Sequence, residues 1–190
     1  MTALQSALEE LRAGRLAVIP TDTVYGLAAA CGAAPALFAL KKRPRAKALP
    51  VLGCCVSDLE RVANFPAAAL RIAERLWPGP LTLVLERAPS LDVDLGGDGA
   101  TIAVRVPAHE MALELLVRSG PVAVTSANRT GEPPATTVTE ARATFAGEVR
   151  AFVDGGRCDG APSSVVSVTD ELRLLRAGAV TLAEVRQALG

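Results

Sequence analysis

Apolar positions predict most of the elements. Leu4, Ala7, Leu8 and Leu11 recur at helical spacing between Thr2, which can cap a helix, and Gly14, which can end one. Residues 16–19 (LAVI) are apolar on both faces and stopped by Pro20, the pattern of a buried central strand. A helix is predicted over 34–42, ending near Pro44 because proline disfavours helical geometry in the residue before it. A strand over 49–55 follows, and Ser57 with Glu60 carries a capping-box signature for a short helix ending near Asn64. Residues 66–76 predict another helix. Strands at 81–87 and 101–106 flank a loop at 90–99, rich in glycine and aspartate and expected to be exposed. A helix at 111–118 leads to a strand at 121–125, which runs into the polar stretch 126–137, long enough to carry function. The chain then predicts a helix at 139–145, strands at 149–153, 165–169 and 172–175, and a last helix opened by a capping box of Thr181 and Glu184.

Helices and strands alternate with no repeat, low-complexity tract or linker, which predicts one α/β domain, residues 1–190, on a mixed sheet. A chain of 190 residues, 50% of them apolar, buries roughly 70% of its unfolded surface around one core. With 20 basic and 20 acidic residues the net charge is zero, which argues against a nucleic-acid coat protein or a membrane-surface binder, so a cationic site has to be local. MTALQSALEELRAGR mixes acids with apolar residues and fits neither a secretion signal nor a transit peptide, and no apolar run reaches the ~20 residues of a membrane span. The four cysteines lack a CxxC spacing and His109 is the single histidine, so no metal site is expected. Reduced thiols in a cytoplasmic protein are the simplest reading.

Local chemistry concentrates in a few segments. Lys41, Lys42, Arg43, Arg45 and Lys47 put five cations into seven residues, a cluster that attracts anions such as a triphosphate, with forked hydrogen bonds from arginine. The alternative is a solvated helix end whose lysines complement the helix dipole. PTDTVYG (20–26) follows a buried strand and offers Asp22 and two threonines to a ligand's ammonium or hydroxyl, with Tyr25 as an amphipathic wall; the alternative is a turn closed by local bonds. TSANRTG (125–131) again ends an apolar strand. A serine nucleophile at Ser126 lacks a histidine nearby in sequence, so positioning suits this segment better. Arg105 inside IAVRVP is either an edge residue or a ligand clamp, and DGAPSS (159–164) supplies small hydroxyls before a strand.

PTDTVYGL, KKRP, LWPGPLTLVL, IAVRVP, TSANRTGEPPATT, PSSVVSV and LLRAGAV, in that order and over nearly the whole chain, resemble the YrdC-type family of threonylcarbamoyl-AMP synthases. The resemblance implies a twisted, open, mixed α/β sheet with flanking helices around a concave cationic cleft. It implies synthesis of threonylcarbamoyl-AMP and pyrophosphate from L-threonine, bicarbonate or CO2, and ATP with Mg2+. By the same carry-over, Lys41, Arg43, Ser126 and Asn128 contact ATP and take part in catalysis, with Arg176 also at the nucleotide. Thr21, Thr23, Tyr25, Arg105, Thr125, Ser163 and Ser164 fall on the threonine side, Arg105 taking the carboxylate. The product would pass to a tRNA threonylcarbamoyltransferase complex acting beside the anticodon, and contact with tRNA or double-stranded RNA is implied for relatives. Two departures stand out. Many relatives have a histidine after the basic segment, where this chain reads Leu49-Pro50-Val51-Leu52, and some have a serine where Pro134 stands. Longer relatives add a domain over the cleft, so closure here is expected to fall to a loop such as 126–137.

Two other readings compete. A non-catalytic RNA-binding module would use the basic cluster on phosphates, although one tyrosine, one tryptophan and four phenylalanines leave few platforms for base stacking. A carbamoyl-transfer domain of the hydrogenase-maturation type shares the implied fold but usually adjoins acylphosphatase and zinc-finger segments, which this sequence lacks.

Overall fold

The computed structural model describes residues 2–158 and 161–190. Thr2 opens α1 (Ala3–Arg12) through a capping box closed by Gln5, and Leu4, Ala7, Leu8 and Leu11 are its buried stripe. There follow β1 (Ala17–Ile19), β2 (Gly26–Ala30), α2 (Pro35–Lys41), β3 (Val51–Leu52), α3 (Val56–Leu59), α4 (Ala67–Leu76) and β4 (Leu81–Glu86). Then come β5 (Thr101–Arg105), α5 (Glu110–Ser119), β6 (Val122–Ser126), α6 (Val138–Phe145), β7 (Ala151–Phe152), β8 (Ser164–Ser167), β9 (Arg173–Arg176) and α7 (Leu182–Leu189).

Among the described residues, nine strands form one sheet in the order β7-β1-β2-β6-β3-β5-β4-β8-β9. The sheet is mixed, as the alternating pattern predicts: β7 pairs parallel to β1, β3 to β5 and β4 to β8, and the remaining neighbours run antiparallel. Alternate residues of a strand point to opposite faces, so the central strands are apolar on both. Ala17, Ile19, Ala28, Val122 and Val124 pack with α1 and α5, whereas Val18, Leu27, Ala29 and Ala123 join a larger core with α2, α4, α6 and α7. Each fully buried leucine or isoleucine contributes about 1.5–3 kcal/mol to that core.

Several expectations need correction. The sequence pattern misses β2, whose GLAAA is poor in strand formers; its pairing between β1 and β6 overrides propensity. Gly26 is required there, since a Cβ would lie 2.6 Å from Val124 Cγ1. The predicted strand 49–55 contracts to two paired residues, Leu49 being bonded instead to the Leu95 carbonyl at 2.8 Å. That bond also anchors the loop at 90–99, where Leu95 is buried rather than exposed. The Ser57–Glu60 capping box does not form: α3 starts from Cys55 without a side-chain cap, and Ser57 lies inside it. An unpredicted capping box does form between Thr137 and Glu140 at the start of α6.

Strand β8 begins where 177–181 laces onto 162–164: Ala179 donates to the Pro162 carbonyl at 3.2 Å, and Val180 N–H reaches Ser164 Oγ at 3.0 Å. Gly178 sits in this crossing, and a Cβ on it would lie 2.4 Å from both Pro162 O and Ser164 N. Those are backbone atoms and cannot rotate away. Gly178→Ala is therefore expected to destabilise the protein by about 1–3 kcal/mol, read as a lowered midpoint in a thermal melt; an unchanged midpoint would contradict this packing.

Candidate functional site

Lys41 ends α2, and the left-handed Lys42 (φ 49°) turns the chain immediately after it. The Lys41 side chain points inward, leaving the residue 6% exposed. Its ammonium donates to the Ser126 carbonyl at 2.6 Å and to Asn128 Oδ1 at 2.9 Å, with Thr125 Oγ1 and Ser126 Oγ each at 3.4 Å. Asn128 is fixed in turn: Ser126 Oγ donates to its Oδ1 at 2.6 Å, and its amide nitrogen donates to the carbonyls of Arg129 and Glu132. Thr130 Oγ1 closes the circuit on the Lys41 carbonyl at 2.7 Å. The lysine thus pins the turn that follows β6. Burial, and then the neighbouring charge of Arg43, push its pKa down to about 8.

The solvated-helix-end alternative therefore fails for Lys41. Arg43, half-buried, is held by the carbonyls of Lys47 and Ala48 at 2.9 and 2.8 Å. Arg45 faces outward, paired with Asp94 and lying 4.6 Å above the Phe38 ring.

A second cluster surrounds Arg105, which is 5% exposed and so does not snorkel to solvent from an edge. Its Nε donates to the Gly79 carbonyl at 2.9 Å, its Nη1 to Thr23 Oγ1 at 3.2 Å and its Nη2 to Asp22 Oδ1 at 2.5 Å. Three of five guanidinium N–H groups are thereby used. Thr21 donates its hydroxyl proton to the Val24 carbonyl at 2.6 Å, so the 3.0 Å bond between Thr21 and Thr23 runs from the Thr23 hydroxyl to Thr21 Oγ1. The Thr23 oxygen then faces Arg105. Asp22 Oδ2 is buried and, among the described residues, lacks a hydrogen-bond donor. A carboxylate oxygen shut away in that condition is costly, and a ligand N–H or O–H would relieve it.

A third group forms at the start of β8. Arg176 donates to the Ser163 carbonyl at 2.7 Å and to Ser163 Oγ at 3.0 Å, and Ser163 Oγ bonds Thr82 Oγ1 at 2.9 Å. Thr82 went unread in the sequence because a lone threonine inside LTLVLE looks like a strand former. Ser164 is fully buried with its hydroxyl committed to Val180, so it laces the strand and does not face a ligand. Asp159 and Gly160 of the same motif lie outside the described residues.

The three groups sense one another. Desolvation lowers the pKa values of Arg43, Arg105 and Arg176; the charge of Arg176 further lowers those of Arg43 and Arg105, and Arg43 does the same to Lys41. Lys41 is repelled by Arg43, Arg43 by Arg176 and Arg105 by Arg176, a chain of like charges that an anion would relieve. Two expected residues stand apart. Tyr25 is fully buried, its hydroxyl donating to the Gly156 carbonyl at 2.6 Å and accepting from Gly155 N–H at 3.1 Å, so it ties down 154–156 rather than walling a ligand. Thr125 belongs to the Lys41 circuit, not to the Arg105 clamp. Ser126 serves Asn128, and its hydroxyl has no histidine partner.

Lys41 and Arg105, buried beside small hydroxyls on a mixed sheet, make this an α/β protein with a site suited to a small anionic ligand. The family model Sua5_yciO_yrdC, described as "Telomere recombination", matches residues 9–178, and the chain belongs to that family. It is 40% identical to a putative threonylcarbamoyl-AMP synthase of Mycobacterium leprae, over 98% of this chain and 88% of the relative. It is 37% identical to a threonylcarbamoyl-AMP synthase of Pyrococcus abyssi, covering 95% of this chain and 55% of that protein. The crystal structure of Pyrococcus abyssi Sua5 complexed with L-threonine superposes with a TM-score of 0.93 at 36% identity, over 98% of this chain and 57% of that one.

Asp22 is the counter-charge of a guanidinium held almost wholly out of water, so Asp22→Ala is expected to cost about 3–5 kcal/mol. Urea denaturation checks this, and a loss well under the cost of one exposed ion pair would mean that Arg105 is compensated elsewhere.

Proposed function

We propose that the chain makes threonylcarbamoyl-AMP and pyrophosphate from L-threonine, bicarbonate or CO2, and ATP. The observation that carries this reading is a buried Asp22 oxygen that lacks a donor beside the buried Arg105 guanidinium, with Lys41, Arg43 and Arg176 as neighbouring cations partly removed from water. A triphosphate next to an amino acid supplies both missing partners. The names of the Mycobacterium leprae and Pyrococcus abyssi relatives, and the L-threonine in the Sua5 complex, support the same assignment.

In this reading, the two unused N–H groups of Arg105 take the threonine carboxylate, while Asp22 Oδ2 accepts from its amine or hydroxyl and Thr23 fixes the guanidinium. Lys41, Arg43 and Arg176 receive the phosphates, and Ser126 and Asn128 hold Lys41 in place. The threonine amine is carboxylated, a carbamate oxygen attacks the α-phosphorus, and pyrophosphate leaves with its charge stabilised by the cations. Orientation and charge stabilisation carry such a displacement without a protein nucleophile. Mg2+ would enter bound to the triphosphate, whose phosphate oxygens are the hard ligands it prefers. The product then passes in the cytoplasm to a transferase that modifies tRNA, with residues 1–190 read as one catalytic unit. Of the basic cluster, Lys41 is buried while Lys42, Arg45 and Lys47 are exposed, and it is the names of the relatives that favour the synthase over the RNA-binding alternative. No helix among the described residues is long and apolar enough to cross a membrane.

Pyrophosphate release is expected only when ATP, threonine and bicarbonate are all present. Lys41→Ala and Arg43→Ala should each reduce it by about 100-fold or more with the fold retained, as for loss of a charge-stabilising donor. Release at the same rate without threonine would overturn the assignment. Lys41 is charged below about pH 8 and neutral above it. Affinity for a non-hydrolysable ATP analogue, measured by calorimetry, should therefore weaken as the pH rises through about 8. Lys41→Met should bind more weakly and show no such fall; parallel pH curves would remove Lys41 from the nucleotide site.

A further inference from the structure

Outside this site, Cys54 and Cys55 lie between β3 and α3, at the edge of a hollow of about 490 Å³ shared with Ser57, Arg61, Val117 and Arg118. Cys55 is exposed, and its Sγ lies 3.2 Å from Ser57 Oγ and 3.6 Å from Cys54 Sγ, which donates to it. The hollow carries loosely engaged cations. Arg61, with its side chain 72% exposed, reaches Asp58 only at 3.6 Å, and Arg118 reaches Glu114 at 3.5 Å. Asp58 also lines the hollow, while Glu114, the partner of Arg118, does not; the two long pairs balance in charge, and the exposed Arg61 guanidinium stays open to an anion. Val117, 70% exposed, adds an apolar wall.

We propose that Cys55 is a modification site that forms a mixed disulfide with an anionic low-molecular-weight thiol, whose carboxylates lie against Arg61 and Arg118. The Cys55 thiolate attacks one sulfur of the oxidised thiol, a disulfide. The old S–S bond breaks as the new one forms, and the second thiol leaves as a thiolate that takes a proton from water. Oxidant and leaving group both come from that disulfide. The surroundings divide the work between the two cysteines. The Ser57 hydroxyl, and then the Asp58 backbone N–H, hold the Cys55 thiol below its ordinary value, whereas burial and the bond to Cys55 push Cys54 up to about 11. Resolution of the adduct by Cys54 is slow, because the bridge between adjacent cysteines that it would require is strained. Cys31 is a poor competitor: it is part-buried and pushed up to about 11, chiefly by that burial. Cys158 is buried.

The test is to incubate the full chain with glutathione disulfide, a net-negative probe, near neutral pH, and to map adducts by peptide mass spectrometry. One adduct on Cys55 is expected, retained in Cys54→Ser and abolished in Cys55→Ser. An adduct rate on Cys31 or Cys158 equal to that on Cys55, or a Cys54–Cys55 disulfide in place of the adduct, would overturn the site. In the double variant Arg61→Ser/Arg118→Ser, the reaction with glutathione disulfide should slow about fivefold, as for loss of exposed charge pairing, while that with cationic cystamine should not slow. Equal slowing of both reactions, or none, would remove the anionic specificity. Thermal melts of all variants separate these outcomes from misfolding.

Discussion

A guanidinium buried at the end of β5 is the constraint on which the rest of the structure depends. Removing a charge of that size from water costs several kcal/mol even after the protein relaxes, so Arg105 is tolerable only with its donors directed at good acceptors. It finds them in three places: the Gly79 carbonyl, the Thr23 hydroxyl and the Asp22 carboxylate. Two of these belong to the segment between β1 and β2. The clamp therefore ties that segment to a strand with which neither β1 nor β2 is paired in the sheet.

The topology makes this tie necessary. Strand β3 runs antiparallel to β6 and parallel to β5, so the C-terminal ends of β5 and β6 lie at opposite ends of the sheet. Arg105 closes one of them and Ser126 the other. Residues 21–25 span the gap: Asp22 and Thr23 reach Arg105, while the Tyr25 backbone bonds to Ala127 and Ala135 at 2.8 and 2.9 Å. Lys41 then locks the 125–130 turn from the other side. Arg43 and Arg176 link Lys41 to Arg105 in a chain of like charges held at some cost in stability. Such concentrated repulsion is common where a polyanion binds, because the ligand offsets it.

Burial also distinguishes positioning groups from groups free to meet a ligand. The hydroxyls of Ser164 and Tyr25 are fully engaged by backbone partners, so both residues shape the site without facing into it. By contrast, one oxygen of Asp22 and two N–H groups of Arg105 have no partner among the described residues, and they are of opposite character. A zwitterionic amino acid presents the complement of both.

Much of this was legible in the chain. Helical spacing gave α1 with its Thr2 cap, the doubly apolar run at 16–19 gave β1, and the alternation of elements gave a mixed α/β sheet, because a one-dimensional pattern of burial records which faces are covered. Arg105 stood out inside an apolar strand, Lys41 and Arg43 in a cluster of five cations, and Ser126 and Asn128 in a polar loop, while their roles came from the family resemblance. The alanine-rich β2 did not, since its strand state comes from its neighbours and not from its own preference. Nor could sequence reveal that Lys41 turns inward while Arg45 turns out, that Ser57 lies within a helix instead of capping one, or that Asp22 is Arg105's partner. Those outcomes depend on which groups are deprived of water once distant segments meet, and that is decided only by the tertiary structure.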